Sequence, residues 1–225
     1  ELKLMMNTDM DFDFPLWVDP TLTADANADV ILDGQSRGSG NADQFGRSVA
    51  SAGDFNGDGI DDVIVGAVYD DNNALDAGSA FIFFGGITGT KRADAHADVI
   101  LNGQSASDFF GVSVASAGDF NGDGKDDVIV STTGDDGNAS DSGRAFIFFG
   151  GVTGTKTAAD ADIILDGQSA NDDFGFSVAS AGDFNGDGAS DVIVAARGDD
   201  NNSESGSGSA FVFFSSGAFP SITFS

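Results

Sequence analysis

The chain has 225 residues, 40% of them hydrophobic, and its 21 phenylalanines are enough to pack a core and exclude wholesale disorder. Its formal net charge is −28, from 37 acidic against 9 basic residues, which leaves no basic footprint for nucleic acid. Cysteine is absent, which removes disulfides, thiolate metal sites and cysteine nucleophiles, and no apolar run reaches the length of a membrane span.

All but two of the acids, Glu1 and Glu204, are aspartate. Aspartate together with glycine favours tight turns and the ligation of hard cations. Adaptation to high salt is a competing source of the same excess.

In chain order, residues 1–23 come first, outside any repeat. A chain that starts at Glu1 rather than Met reads as a processed form or a fragment. Leu2, Leu4, Met6, Thr8, Met10, Phe12, Phe14 and Leu16 occupy the even positions, and the odd ones are polar apart from Met5 and Pro15. This period-two alternation predicts an extended strand of roughly 50 Å. A strand of that length suits donation to a neighbouring subunit, and a head-to-tail contact whose rotation does not close generates a filament. Its alternatives are folding back onto its own terminal sheet, or being the remnant of an adjacent domain.

Three repeats follow, over 24–92, 93–157 and 158–225. They open on "ADVILDGQS", "ADVILNGQS" and "ADIILDGQS", and they carry "GSAFIFF", "GRAFIFF" and "GSAFVFF" near their ends. Each contains "DFNGDG", at Asp54, Asp119 and Asp183, spaced 65 and then 64 residues apart. Each reads as four short strands separated by Gly, Asp, Asn and Ser clusters. Runs such as Phe146-Ile147-Phe148-Phe149 are apolar on both faces and so must be covered on both. Stacked four-stranded antiparallel units of this length describe propeller blades; a β-solenoid, with shorter coils, is the alternative. No capped amphipathic helix is visible. The C-terminal "AFPSITFS" (218–225) alternates in a way that fits a closing edge strand for the third repeat.

The stretch "FGRSVASAGDFNGDGIDDVIVGA" (45–67) resembles the FG-GAP repeat of integrin α-subunit propellers and of many bacterial surface proteins. The Phe-Gly pair recurs as Phe110-Gly111 and Phe174-Gly175, whereas the Gly-Ala-Pro element is degenerate and lacks its proline throughout. The resemblance covers about residues 28–214. It implies an all-β fold of propeller-like blades and an extracellular or cell-surface location, and it puts the "DFNGDG" loop between the first two strands of each blade. A propeller needs at least about four blades, and this family usually has more. Three are therefore an incomplete ring, a ring completed by other subunits, or part of a polymer.

Each hexapeptide extends to D-x-N-x-D-G-x-x-D. The first loop offers Asp54, Asn56, Asp58, the main-chain carbonyl of Ile60, and Asp62. The second offers Asp119, Asn121, Asp123, the carbonyl of Lys125, and Asp127. The third offers Asp183, Asn185, Asp187, the carbonyl of Ala189, and Asp191. Oxygens at alternate positions face one ion when a chain wraps around it, and the sixth-position glycine permits the turn. Two carboxylates about 4 Å apart repel by roughly 4 kcal/mol at an effective dielectric near 20, so three together call for a cation. All-oxygen donors point to Ca²⁺, at three sites. An EF-hand is excluded, because its twelfth-position glutamate is replaced by Val65, Val130 or Val194.

The opposite end of each blade should carry the acidic loops 69–78, 134–143 and 198–208, read as solvated. Asn138 and Asn201 begin glycosylation sequons. With His96 the only histidine, no catalytic triad can be assembled; Trp17 and Tyr69 alone make no carbohydrate platform. The expectation is a non-catalytic, calcium-binding extracellular scaffold, adhesive and self-assembling. The runner-up is a fragment of a larger receptor-like propeller that binds a protein or glycan through its acidic loops. A third possibility is an accessory domain of a surface enzyme.

Overall fold

The computed structural model describes residues 28–35, 42–135, 137, 139–200 and 206–215. The alternating stretch 1–16, Trp17, the C-terminal 218–225, Asn138 and Asn201 lie outside the described residues.

The fold is all-β and built from three antiparallel blades side by side. In the first blade, β2 (Phe45–Gly53), β3 (Asp62–Ala67) and β4 (Ser79–Phe83) form a meander from the inner edge outward. The second repeats it with β7 (Val114–Gly118), β8 (Asp127–Thr132) and β9 (Arg144–Phe148). The third uses β12 (Phe174–Gly182), β13 (Asp191–Ala196) and β14 (Ser209–Phe213).

The sheets are cut one strand later than the sequence repeats. The "ADVIL" strand of the second repeat, β6 (Val99–Asn102), pairs antiparallel with β4 of the first, Phe81 opposite Ile100. The third repeat's opening strand, β11 (Ile163–Asp166), closes the second blade in the same way, Phe146 opposite Ile164. The strand that opens a repeat therefore belongs to the preceding blade, and this stagger ties neighbouring blades together covalently. The first repeat's copy, β1 (Val30–Asp33), has no such sheet among the described residues.

The connector after each third strand also crosses back. β10 (Gly154–Thr157) adds in parallel to β6 as a fifth strand, and β5 (Gly89–Arg92) adds in the same way to β1. Two helical turns sit in these connectors, α1 (Ala93–His96) and a 3-10 turn (Ala158–Asp160). Single turns are too short for apolar periodicity to announce them. The 3-10 turn is held by a capping box between Thr157 and Asp160.

The doubly apolar strands do what their pattern requires. Phe146 and Phe148 pack with Phe55, Ile64 and Ile82 between the first and second blades. Ile147, one residue out of phase, packs with Val192 and Val194 between the second and third. Alternate side chains point to opposite faces, so the middle blade contributes to both cores at once.

Candidate metal centres

The three nine-residue loops join the first and second strands of their blades, at the same end as the Gly-Gly connectors. The chain enters each through a β-bulge, with register shifts between Ser51 and Gly53 and at the two corresponding places.

Inside the first loop, Asp54 Oδ1 accepts from the backbone N–H groups of Gly57 and Asp58, both at 2.9 Å, and Oδ2 accepts from Gly59 N–H at 2.9 Å. Asn56 Oδ1 accepts from Asp58 N–H at 2.7 Å, and Asp58 Oδ1 from Ile60 N–H at 2.9 Å. The Asn56 amide donates to Asp58 Oδ2 at 3.0 Å. The second and third loops repeat this net, Asp119 and Asp183 taking the place of Asp54. The sixth-position glycine makes the curl possible: Gly59, Gly124 and Gly188 have φ of 89°, 91° and 94°, where a side chain would be strained.

The ninth-position aspartates stand apart from the rest. Asp62, Asp127 and Asp191 are fully buried, beneath their loops. Asp127 Oδ2 accepts from the N–H groups of Phe120 (2.9 Å) and Asn121 (3.1 Å), and its Oδ1 from Gly150 N–H (2.9 Å). Asp191 is held alike by Phe184, Asn185 and Ser215, and Asp62 by Asn56 and Gly85. Each carboxylate thus bolts its loop to the end of its blade's third strand. Burial pushes the Asp127 carboxyl up to about 6, against the pull of its three N–H partners. Asp62 is raised for the same first reason.

The donor set fits a hard cation: carboxylate, amide and main-chain oxygens only, with no nitrogen or sulfur. Among the described residues no ion pair reaches a loop carboxylate; the arginines pair instead with Asp94, Asp135, Asp166 and Asp173. Among the described residues the loops' carboxylates are therefore held by backbone N–H groups and not by ion pairs, with Lys125, itself in the second loop, as the basic side chain beside the first. The carboxylates do not yet converge, however. No three acidic or imidazole side chains among the described residues are grouped as an ion's shell, because the first and fifth positions are turned onto the loop's own N–H groups.

The second loop residue was missed as a functional position. Phe55 is 0% and Phe120 5% exposed, each plugged between blades, whereas Phe184 is 67% exposed. Its signal was visible: an aromatic residue between two polar ligand positions, repeated three times. The opposite end is also more built than solvated loops would be. Asp70, 1% exposed, accepts from Ser79 Oγ, Gln35 and Asn72 N–H, and Asp135 accepts from Gly137 N–H and pairs with Arg144.

The FG-GAP repeat description matches residues 45–83, 110–148 and 174–213, one match per blade. The chain belongs to the FG-GAP repeat family. It is 32% identical over 168 residues to integrin alpha-5 of Xenopus laevis, covering 71% of this chain and 15% of that protein. Integrin alpha-6 of Gallus gallus is 35% identical over 170 residues, 75% of this chain and 15% of its own length. Integrin alpha-IIb of Homo sapiens is 31% identical over 172 residues, 72% and 16%. The FG-GAP chain thus spans about one-sixth or less of the relatives it matches.

Proposed function

We propose that this FG-GAP chain is a non-catalytic, extracellular adhesive scaffold whose blades are stiffened by three Ca²⁺ ions, and which associates with copies of itself. The observation that carries the metal reading is the threefold repetition of one all-oxygen loop whose carboxylates form no ion pair among the described residues. Asp54, Asn56, Asp58, the Ile60 carbonyl and Asp62 would hold the first ion. The corresponding residues from Asp119 to Asp127 and from Asp183 to Asp191 would hold the others.

A bound divalent cation supplies positive charge at the end of each blade and cross-links the turns of its loop. The chain's own contribution is the curl at the sixth-position glycine and the buried ninth-position carboxylate, which fix where the exposed oxygens lie. Titration of chelator-stripped protein with calcium chloride in a calorimeter should give three binding events, with a rise in melting temperature and in protease resistance. A melt and a digestion pattern unmoved by calcium would reduce the loops to turns.

The short coverage of the integrin relatives favours a second reading, in which this is the blade-bearing part of a larger receptor-like protein. Its acidic loops at the end opposite the calcium loops would then meet a protein or glycan. Under that reading the isolated chain stays monomeric with calcium at every concentration.

A further inference from the structure

The two internal blade joints follow one rule, and the two outer faces of the array are the two halves of that same joint. At the first joint, Phe55 inserts between blades against Val128 and Phe148. Its backbone is clamped there: Gly151 N–H donates to Phe55 O, Asp126 N–H to Asp54 O at 3.2 Å, and Asp54 N–H to Asp126 Oδ2 at 2.8 Å. A side chain at Gly150 would collide with Phe55 O, 2.7 Å from where its Cβ would stand, so the glycine is what lets the knob in. At the second joint Phe120 is the knob, and Ser190 N–H donates to Asp119 O at 3.3 Å.

Among the described residues, the third blade presents the same knob with no hole. Phe184 is 67% exposed and, among the described residues, stacks on Phe214 with ring centroids 6.4 Å apart. The first blade presents, among the described residues, the hole with no knob. Val30, Leu32, Val63, Phe83, Gly85 and Gly86 line an apolar cleft of about 280 Å³, where the repeat pattern places Phe55's neighbours Val99, Leu101, Val128 and Phe148. The valines on this face agree: Val49 is 68% exposed, while its counterparts Val114 and Val178 are 5% and 6% exposed inside joints.

The strand edges complement each other as well. β1 is a blade-closing strand without a blade, and β14 is a third strand without a closing strand, among the described residues. The register of both internal closures pairs Phe211 with Ile31.

We infer that these faces dock on each other between two copies of the chain, Phe184 of each copy filling the cleft of the other while β1 closes the other's third blade. Two copies of three blades make six, inside the range of about four to eight that propellers adopt, whereas three copies would make nine. Both contacts form twice, as a two-fold axis requires, so the assembly is a closed pair and not a filament. The inference rests on the self-association proposed above and is independent of calcium, whose failure would show in the melt and not in the mass.

The test is the solution mass of the full chain by light scattering, with and without calcium, across the micromolar range. The expected particle has twice the 22.8 kDa of one chain. Phe184→Asp, at a residue already exposed, should weaken pairing by about tenfold or more without unfolding the monomer. Because the chain has no cysteine of its own, the Ile31→Cys/Phe211→Cys double variant reports register cleanly. Under oxidation it should give a covalent dimer on a denaturing gel, whereas Ile31→Cys/Val212→Cys, with side chains on opposite faces, should not. A monomer at every concentration, whether from a longer parent or from another segment covering β14, overturns the inference. So do an open ladder of sizes, a disulfide within one chain, or a pair indifferent to Phe184→Asp.

Discussion

The rim and the floor of each loop have the same residue type and opposite environments. Asp54 and Asp58 at the rim are half-buried and exposed, respectively, and share backbone N–H groups that water could also satisfy, while Asp62 at the floor is fully buried with N–H donors from Asn56 in the loop and Gly85 just beyond β4. One nine-residue motif therefore holds two kinds of aspartate. Its floor is part of the blade whether or not an ion is present; under the proposed function its rim would supply the remaining ligands.

The sharpest way to break that distinction is Asp127→Ala. It leaves the Asn121 and Gly150 N–H groups without this acceptor and Phe120 N–H with Gly118 O alone, and should lower stability by about 3 kcal/mol in urea unfolding with chelator, and by more with calcium because a ligand is lost as well. A loss seen only with calcium would make the floor a ligand and nothing else. Phe55→Ala, in the same loop but pointing between blades, should cost about 3 kcal/mol through the cavity it opens. Phe184→Ala, measured on the monomer, should change stability by less than about 0.5 kcal/mol.

At the rim, Asp123→Ala should shift metal-free stability by less than about 1 kcal/mol. It should also remove one calcium-binding event and about 2 kcal/mol of the calcium-dependent gain at saturating metal. The smallest effect concerns the opposite end. Burial raises the Asp108 carboxyl above its usual range, Ser105 N–H opposing and Asp135 adding to the rise. A raised carboxyl favours folding while protonated, so its contribution is present below the ordinary carboxylate range and lost as pH rises through the raised value. Comparing wild type with Asp108→Asn in urea melts at mildly acid and neutral pH should show the variant losing less stability as pH rises.

The strands, their double burial and the loop spacing were legible because each is a local pattern. Phe146-Ile147-Phe148 declared two covered faces, and the structure supplies two blade interfaces. The sheet boundaries were not legible in the same way. "ADVIL" and "ADIIL" open the second and third repeats in sequence, yet pair with the blade before them in space, since pairing depends on which edge is free and not on order along the chain. The helical turns at Ala93–His96 and Ala158–Asp160 escaped because one turn carries no period.

By itself the sequence determined the all-β class, the three blades and the all-oxygen character of the loops, because hydrophobic period, glycine placement and donor chemistry are properties of neighbouring residues. Only the tertiary structure decided that the ninth aspartate is a buried bolt, that Phe55 and Phe120 are interblade plugs, and that the opening strands of the second and third repeats close the blades before them. Those roles depend on which surfaces meet, and residues some 65 apart meet only when the blades stack.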